Sequence, residues 1–230
     1  MHRRSFLSAA ALTSAGLALP SPVDAQAITP RAVDGKRDTK RDIPRYPQDA
    51  WFDQLPGAHR LFLDATSADG AGAALGATWN FLRTSTTGYQ LKDEDEAVVV
   101  CLRHGATEFA FSNDLWSKYD VLRKLKYTHP DTDKKVKGGN VFRPGSMGPK
   151  SMDDGFTWDG LVRRGVHFAI CSVATRGLAR TIAGEKADKD AVQAVVDELM
   201  ANAPANAHFM ASGILAAQRA GEYGYTVIKA

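Results

Sequence analysis

Three continuous apolar runs punctuate this chain, and each is followed by apolar positions recurring at helical spacing. The first, Arg60 to Ala65, leads into Ala74, Leu75, Thr78, Trp79 and Leu82, which predict a helix stopping near Gly88. The second, Glu96 to Leu102, is β-branched and uninterrupted, as expected of a strand covered on both faces of a parallel sheet. A turn at His104-Gly105 then opens a second predicted helix, Glu108 to Leu125. The third run, Val166 to Cys171, follows a short helix that Gly165 ends, and it hands over to another helix at Ser172. Amphipathic stretches over Lys189 to Met200 and Ser212 to Ala220, and a last strand at Gly224 to Ile228, complete the pattern. Strands alternating with helices predict an α/β fold over residues 58–230, a three-layer α/β/α sandwich with a mainly parallel sheet.

Two stretches break the alternation. Residues 28–57 are rich in Pro, Arg, Lys and Asp without an apolar period, and they read as a flexible basic tether or an arm that docks on a partner. Residues 126–156 interleave Lys134, Lys135, Lys137 and Lys150 with Gly138, Gly139, Pro144, Gly145, Gly148 and Pro149. They read as an insertion, either a mobile surface loop or a lid.

Ahead of the tether, Arg3-Arg4-Ser5-Phe6-Leu7, an uncharged run to Leu19 and the small-residue site Ala25-Gln26-Ala27 resemble a twin-arginine export signal. Cleavage after Ala27 predicts a periplasmic protein that folds before it crosses the membrane. Removing residues 1–27 deletes Arg3, Arg4 and Asp24, so the net charge moves from +3 to +2. That balance gives no reason to expect nucleic acid, and no long apolar run remains to hold a membrane.

In a parallel sheet, chemistry is expected where loops meet helix N-termini at the carboxyl ends of strands. Three loops qualify: Ser67 to Gly70, Arg103 to Thr107 (with His104 and Gly105), and Cys171 to Gly177. The last places a thiol at a strand end, ahead of Ser172, Thr175, Arg176 and Gly177. A helix dipole and a guanidinium there both favour thiolate, so Cys171 is the candidate nucleophile. Cys101, inside its strand, reads as core. A flavodoxin-like order, with the first strand between the second and third, puts the two cysteines about 9 to 10 Å apart, too far for a disulfide.

Other chemistries fit less well. Cys171 and Arg176 are one residue too close together for a thiol-phosphatase loop. The run Gly70, Gly72, Gly76 hints at dinucleotide binding with its last glycine one position late, and close helix packing explains it more simply. The histidines show no metal-ligand spacing, and His167 reads as a core residue, so neither a metal nor a cofactor is assigned.

The order of these motifs resembles that of the DsrE/DsrF-like proteins. It comprises the strand Gly165-Val166-His167-Phe168-Ala169-Ile170-Cys171, then Thr175-Arg176-Gly177, then Ala211-Ser212-Gly213-Ile214-Leu215 with Gly221 and Gly224-Tyr225, and the His104-Gly105 turn. The resemblance implies an α/β sandwich assembled as a homo-oligomer, a trimer or hexamer. It also implies a persulfide on Cys171, with Arg176 and the loop amides steadying the sulfur anion. The partner would be a small sulfur species or a sulfur-carrier protein. The alternative is an oligomeric scaffold without turnover.

Overall fold

Seven residues of one strand, β2 (Glu96–Leu102), are all buried, and the rest of the sheet is built outward from it. A computed structural model describes residues 43–130, 132–143 and 155–230. The residues proposed as an export signal, 1–27, lie outside the described residues, as do 28–42 of the tether. β2 lies between β1 (His59–Ala65) and β5 (His167–Cys171), with β6 (Ala207–Met210) and β7 (Thr226–Lys229) at the edges. All four pairings in the order β6-β5-β2-β1-β7 are parallel. The protein is therefore an α/β sandwich.

The connections decide which helix covers which face. From β1 the chain steps through β2, β5 and β6 in one direction, then crosses back over the sheet to β7. Right-handed crossovers put helices from opposite steps on opposite faces. On one face lie α2 (Ala68–Tyr89), α5 (Trp158–Arg163), α6 (Ser172–Ala183) and α7 (Lys189–Ala201), over Leu61, Leu63, Val98, Val100, Phe168 and Ile170. On the other, α8 (Gly213–Glu222) covers Phe62, Val99, Cys101, Ala169 and Met210. Each large aliphatic side chain taken out of water here contributes about 1.5 to 3 kcal/mol.

α2 follows its sequence closely. Ser67 caps it by accepting from Gly70 N–H at 3.0 Å, and Ala71, Ala74, Leu75, Thr78 and Leu82 form its buried stripe. Its glycines lie inside the helix rather than in a loop before it. A Cβ on Gly72 would stand 3.1 Å from Pro130, so close packing accounts for that glycine.

Four expectations change. The tether does not extend over 43–57, because Trp51, Phe52 and Leu55 of the first helix, α1 (Trp51–Gln54), and its C-cap are buried on the α8 face. Arg60 and the Tyr225 hydroxyl both donate to Phe52 O, at 2.8 and 2.9 Å. Three aromatic or aliphatic side chains outweigh the charged residues around them.

The helix expected over 108–125 is broken into a 3-10 helix (His104–Ala110), α3 (Asn113–Lys118) and α4 (Asp120–Arg123). Phe111 and Tyr119 are extended at the breaks, which turns Phe109, Trp116 and Leu122 all inward. In the insertion, β3 (Lys126–Thr128) and β4 (Lys135–Lys137) make an antiparallel hairpin, and Asn140, Val141 and Phe142 are buried. Tyr127 donates its hydroxyl hydrogen to Gly139 O at 2.5 Å and accepts from Val141 N–H at 2.8 Å. Described parts of the segment are therefore core, and 131 and 144–154 lie outside the described residues.

Finally, the flavodoxin-like order is not the one observed. β2, carrying Cys101, lies directly beside β5, carrying Cys171. Among the described residues no helix is long and apolar enough to cross a membrane.

Candidate functional site

Side chains alternate across a strand, so the register fixes what meets at the carboxyl rim. Asp64 pairs with Cys101, Cys101 with Ala169, and Cys171 with Met210. Leu102 pairs with Ile170, so the next position, Arg103, stands level with Cys171. On the β1 side the ladder reaches that far, since Arg103 N–H donates to Ala65 O at 3.1 Å. Asp64, Cys101, Arg103 and Cys171 thus converge at the rim on the side covered by α8.

Cys171 ends β5 and caps α6. Its Sγ accepts from Ala174 N–H at 3.4 Å, and its carbonyl accepts from the buried Thr175 hydroxyl at 3.0 Å. The residue as a whole is buried, 6% exposed. Thr175, four residues on, lies on the same side of α6 as the thiol. Arg176, five residues on, is turned about 140° away. It is exposed and lines the open groove between α6 and α7 with Arg180, Glu185 and Lys189. The arginine that the register brings level with the thiol is Arg103, not the predicted Arg176, and its guanidinium is turned to Asp64 on the far side of β2. Ser172 is half-buried, Gly177 is exposed on α6, and His104 and Gly105 are exposed just past Arg103.

Arg103 is held rigidly. Its Nε and Nη2 donate to the two carboxylate oxygens of Asp64 at 2.7 and 2.8 Å. Those bonds raise the proton affinity of the guanidinium, and the neighbouring Cys101 and Cys171 sulfurs add to it. On its other flank Arg103 packs against the first residue of α8, where a Cβ on Gly213 would fall 2.5 Å from Arg103 Cβ. Only glycine fits there without displacing the arginine.

Cys101 is fully buried, with Sγ 3.8 Å from Gly213 O. Burial above all, then the negative charges of Asp64 and Cys171, push its thiol far above the ordinary range, while Arg103 pulls the other way. The influence of Cys171 reaches Cys101 across a single strand spacing, where the expected strand order put two.

His167 is half-buried rather than core, and it is paired. Its Nδ1 lies 2.9 Å from His208 Nε2, and Trp51 stacks on His208 at 3.8 Å between ring centroids. Burial, then the charge of His167, lowers the His208 pKa to about 4, and burial lowers that of His167. Both rings are favoured neutral in the fold, so the unfolded chain binds more protons once pH drops below the ordinary histidine value. Stability is therefore full at neutral pH and falls as pH descends from about 6.5 towards 4. Urea unfolding at pH 7 and pH 5 is expected to show a loss on the order of 2 kcal/mol. His208→Phe, which keeps the stack on Trp51, is expected to remove most of that difference.

No known family, curated protein or solved structure matches the chain. Among the described residues no three His, Cys, Asp or Glu side chains stand together as a metal site would require. What the rim does offer is an anion-stabilising thiol pocket: one sulfur, one helix-terminal amide and one fixed guanidinium. Sequence reasoning missed Asp64, Arg103 and Gly213. The available signal was the two-residue spacing of Cys101 and Arg103, which puts both on one face of β2.

Proposed function

We propose that the protein accepts sulfane sulfur as a persulfide on Cys171, as several of the DsrE/DsrF-like proteins that its motif order resembles do. The single observation that carries this reading is the Cys171 sulfur resting on Ala174 N–H at the start of α6, with Arg103 level with it just past the end of the neighbouring β2. An amide and a cation there stabilise the sulfur anion before attack and the persulfide anion afterwards. In the loading step the Cys171 thiolate attacks a sulfur of a polysulfide dianion. One S–S bond forms, one breaks, and the shortened polysulfide leaves with the two negative charges. No outside oxidant or reductant is consumed.

Export by the twin-arginine route, a periplasmic site of action and assembly as a trimer or hexamer belong to the same proposal. The test is polysulfide treatment followed by desalting and release with a reductant. The wild type is expected to return about one equivalent of hydrosulfide and Cys171→Ser none. Equal release from both proteins sinks the reading.

A non-catalytic scaffold remains the second reading, favoured by Val173 and Ile214, which are 66% and 64% exposed at the starts of α6 and α8. The release assay separates the two, because a scaffold returns no hydrosulfide from the wild type whatever its assembly state, whereas the relay returns its load.

A further inference from the structure

We infer that Cys101 is a second sulfur-bonding residue, and that polysulfide converts the pair into a trisulfide, Cys101–S–S–S–Cys171. The inference rests on the sulfur-loading reading of Cys171 and extends it to a site closed off from solvent. Three observations carry it. Cys101 and Cys171 occupy consecutive same-face rungs of hydrogen-bonded neighbours, because Cys101 pairs with Ala169 and Cys171 lies two residues beyond. Both sulfurs act electrostatically on Arg103, and that of Cys171 acts on Cys101. Cys101 is wholly buried, so sulfur reaches it by way of its neighbour.

The spacing selects the product. One strand spacing across and two residues along separate the two Cα atoms by about 8 Å. A disulfide closes only below about 7 Å, so direct bonding of the two thiols requires the backbone to move. One inserted sulfur lengthens the bridge by roughly one S–S bond, about 2 Å, and spans the diagonal without that movement.

The chemistry balances without an oxidant beyond the polysulfide itself. The Cys171 thiolate first takes two sulfurs from a polysulfide dianion and becomes Cys171–S–S–S⁻, the shortened dianion leaving. The Cys101 sulfur then attacks the central sulfur of that chain. The new bond is from Cys101 Sγ to the central sulfur, the bond to the terminal sulfur breaks, and the terminal sulfur takes the Cys101 proton and leaves as hydrosulfide. Arg103, level with Cys171 and two residues along β2 from Cys101, is placed to offset the departing charge.

The experiment is mass spectrometry of the intact chain and of its tryptic peptides after polysulfide treatment, iodoacetamide capping and no reductant. The wild type is expected to gain the mass of one sulfur less two hydrogens, with peptides 93–103 and 165–176 joined. Cys101→Ala is expected to carry a capped persulfide or polysulfide on Cys171 and no joined peptide. A capped open chain on wild-type Cys171, with Cys101 still a free thiol on later denaturation, overturns the bridge while sulfur loading stands. No sulfur on residue 171 in either protein overturns both. The joined wild-type peptide decides the matter even if Cys101→Ala folds poorly.

Discussion

Asn140→Ala is expected to lower the unfolding free energy by about 3 to 5 kcal/mol, a large share of the margin of an ordinary domain. Asn140 is fully buried. Its amide nitrogen donates to Phe109 O and Phe111 O at 2.8 and 2.9 Å, and its side-chain oxygen accepts from Phe142 N–H at 3.0 Å. Truncation orphans Phe111 O and Phe142 N–H and leaves Phe109 O with the Trp158 indole N–H at 3.1 Å, and each lost partner costs about 1 to 3 kcal/mol. Asn113 completes the knot by accepting from Asn140 N–H at 2.6 Å and donating to the carbonyls of Asn140 and Arg143. Asn140→Asp keeps the shape but turns a carboxylate on two carbonyl oxygens, so it is expected to be at least as damaging. Equilibrium urea unfolding of the three proteins measures both effects. A loss below 1 kcal/mol for Asn140→Ala contradicts the account of this knot as a structural pin.

The second large effect concerns Asp64 and Arg103, whose side chains are 10% and 15% exposed. Asp64→Ala leaves a guanidinium nearly out of water with no carboxylate, and a stability loss of about 3 kcal/mol is expected. Arg103→Met is expected to cost a similar amount by stranding Asp64. Replacing both removes two desolvated charges at once, so the double variant is expected to be more stable than the sum of the single losses predicts. Additive losses would mean that the two groups do not act as a pair. Arg103→Met is also expected to slow sulfur loading of Cys171 from polysulfide several-fold, since the cation at the rim that offsets the departing charge is removed. A double-mutant cycle by denaturation, with loading rates on the same proteins, reads out both.

The sheet was legible in the sequence to the extent that its strands are apolar and long. The uninterrupted Val98-Val99-Val100 segment marks β2, and the handover from Ile170-Cys171 to a helix opening at Ser172 matches β5 and α6. β6 was not legible. Four residues, one of them the paired His208, show no period that distinguishes a strand from a loop. Lateral order was equally hidden, because nothing in the order of motifs says that β2 neighbours β5 rather than lying beyond β1. That one topological fact brings Cys101 and Arg103 to Cys171.

The choice of arginine shows how the site escaped notice. Arg176 lies five positions from the thiol along the chain, yet the helix turns it away. Arg103 is 68 positions distant, yet the sheet register sets it alongside. Proximity along the chain was a poor guide because a helix rotates by about 100° per residue, whereas a strand returns to the same face every second residue. Composition misled in the same way at two places in the domain. The charged residues around Trp51 and the glycines before Asn140 suggested solvated segments, but a few buried side chains set the structure of each.

The most direct test of the central claim is the mass of peptide 165–176 after brief exposure of the folded protein to polysulfide at neutral pH. The account predicts added sulfur on residue 171, capped or bridged, that a reductant removes and that Cys171→Ser does not show. If Cys171 stays free of sulfur in a sample whose parallel aliquot is readily labelled there by iodoacetamide, the thiol is reachable and the proposed chemistry is wrong.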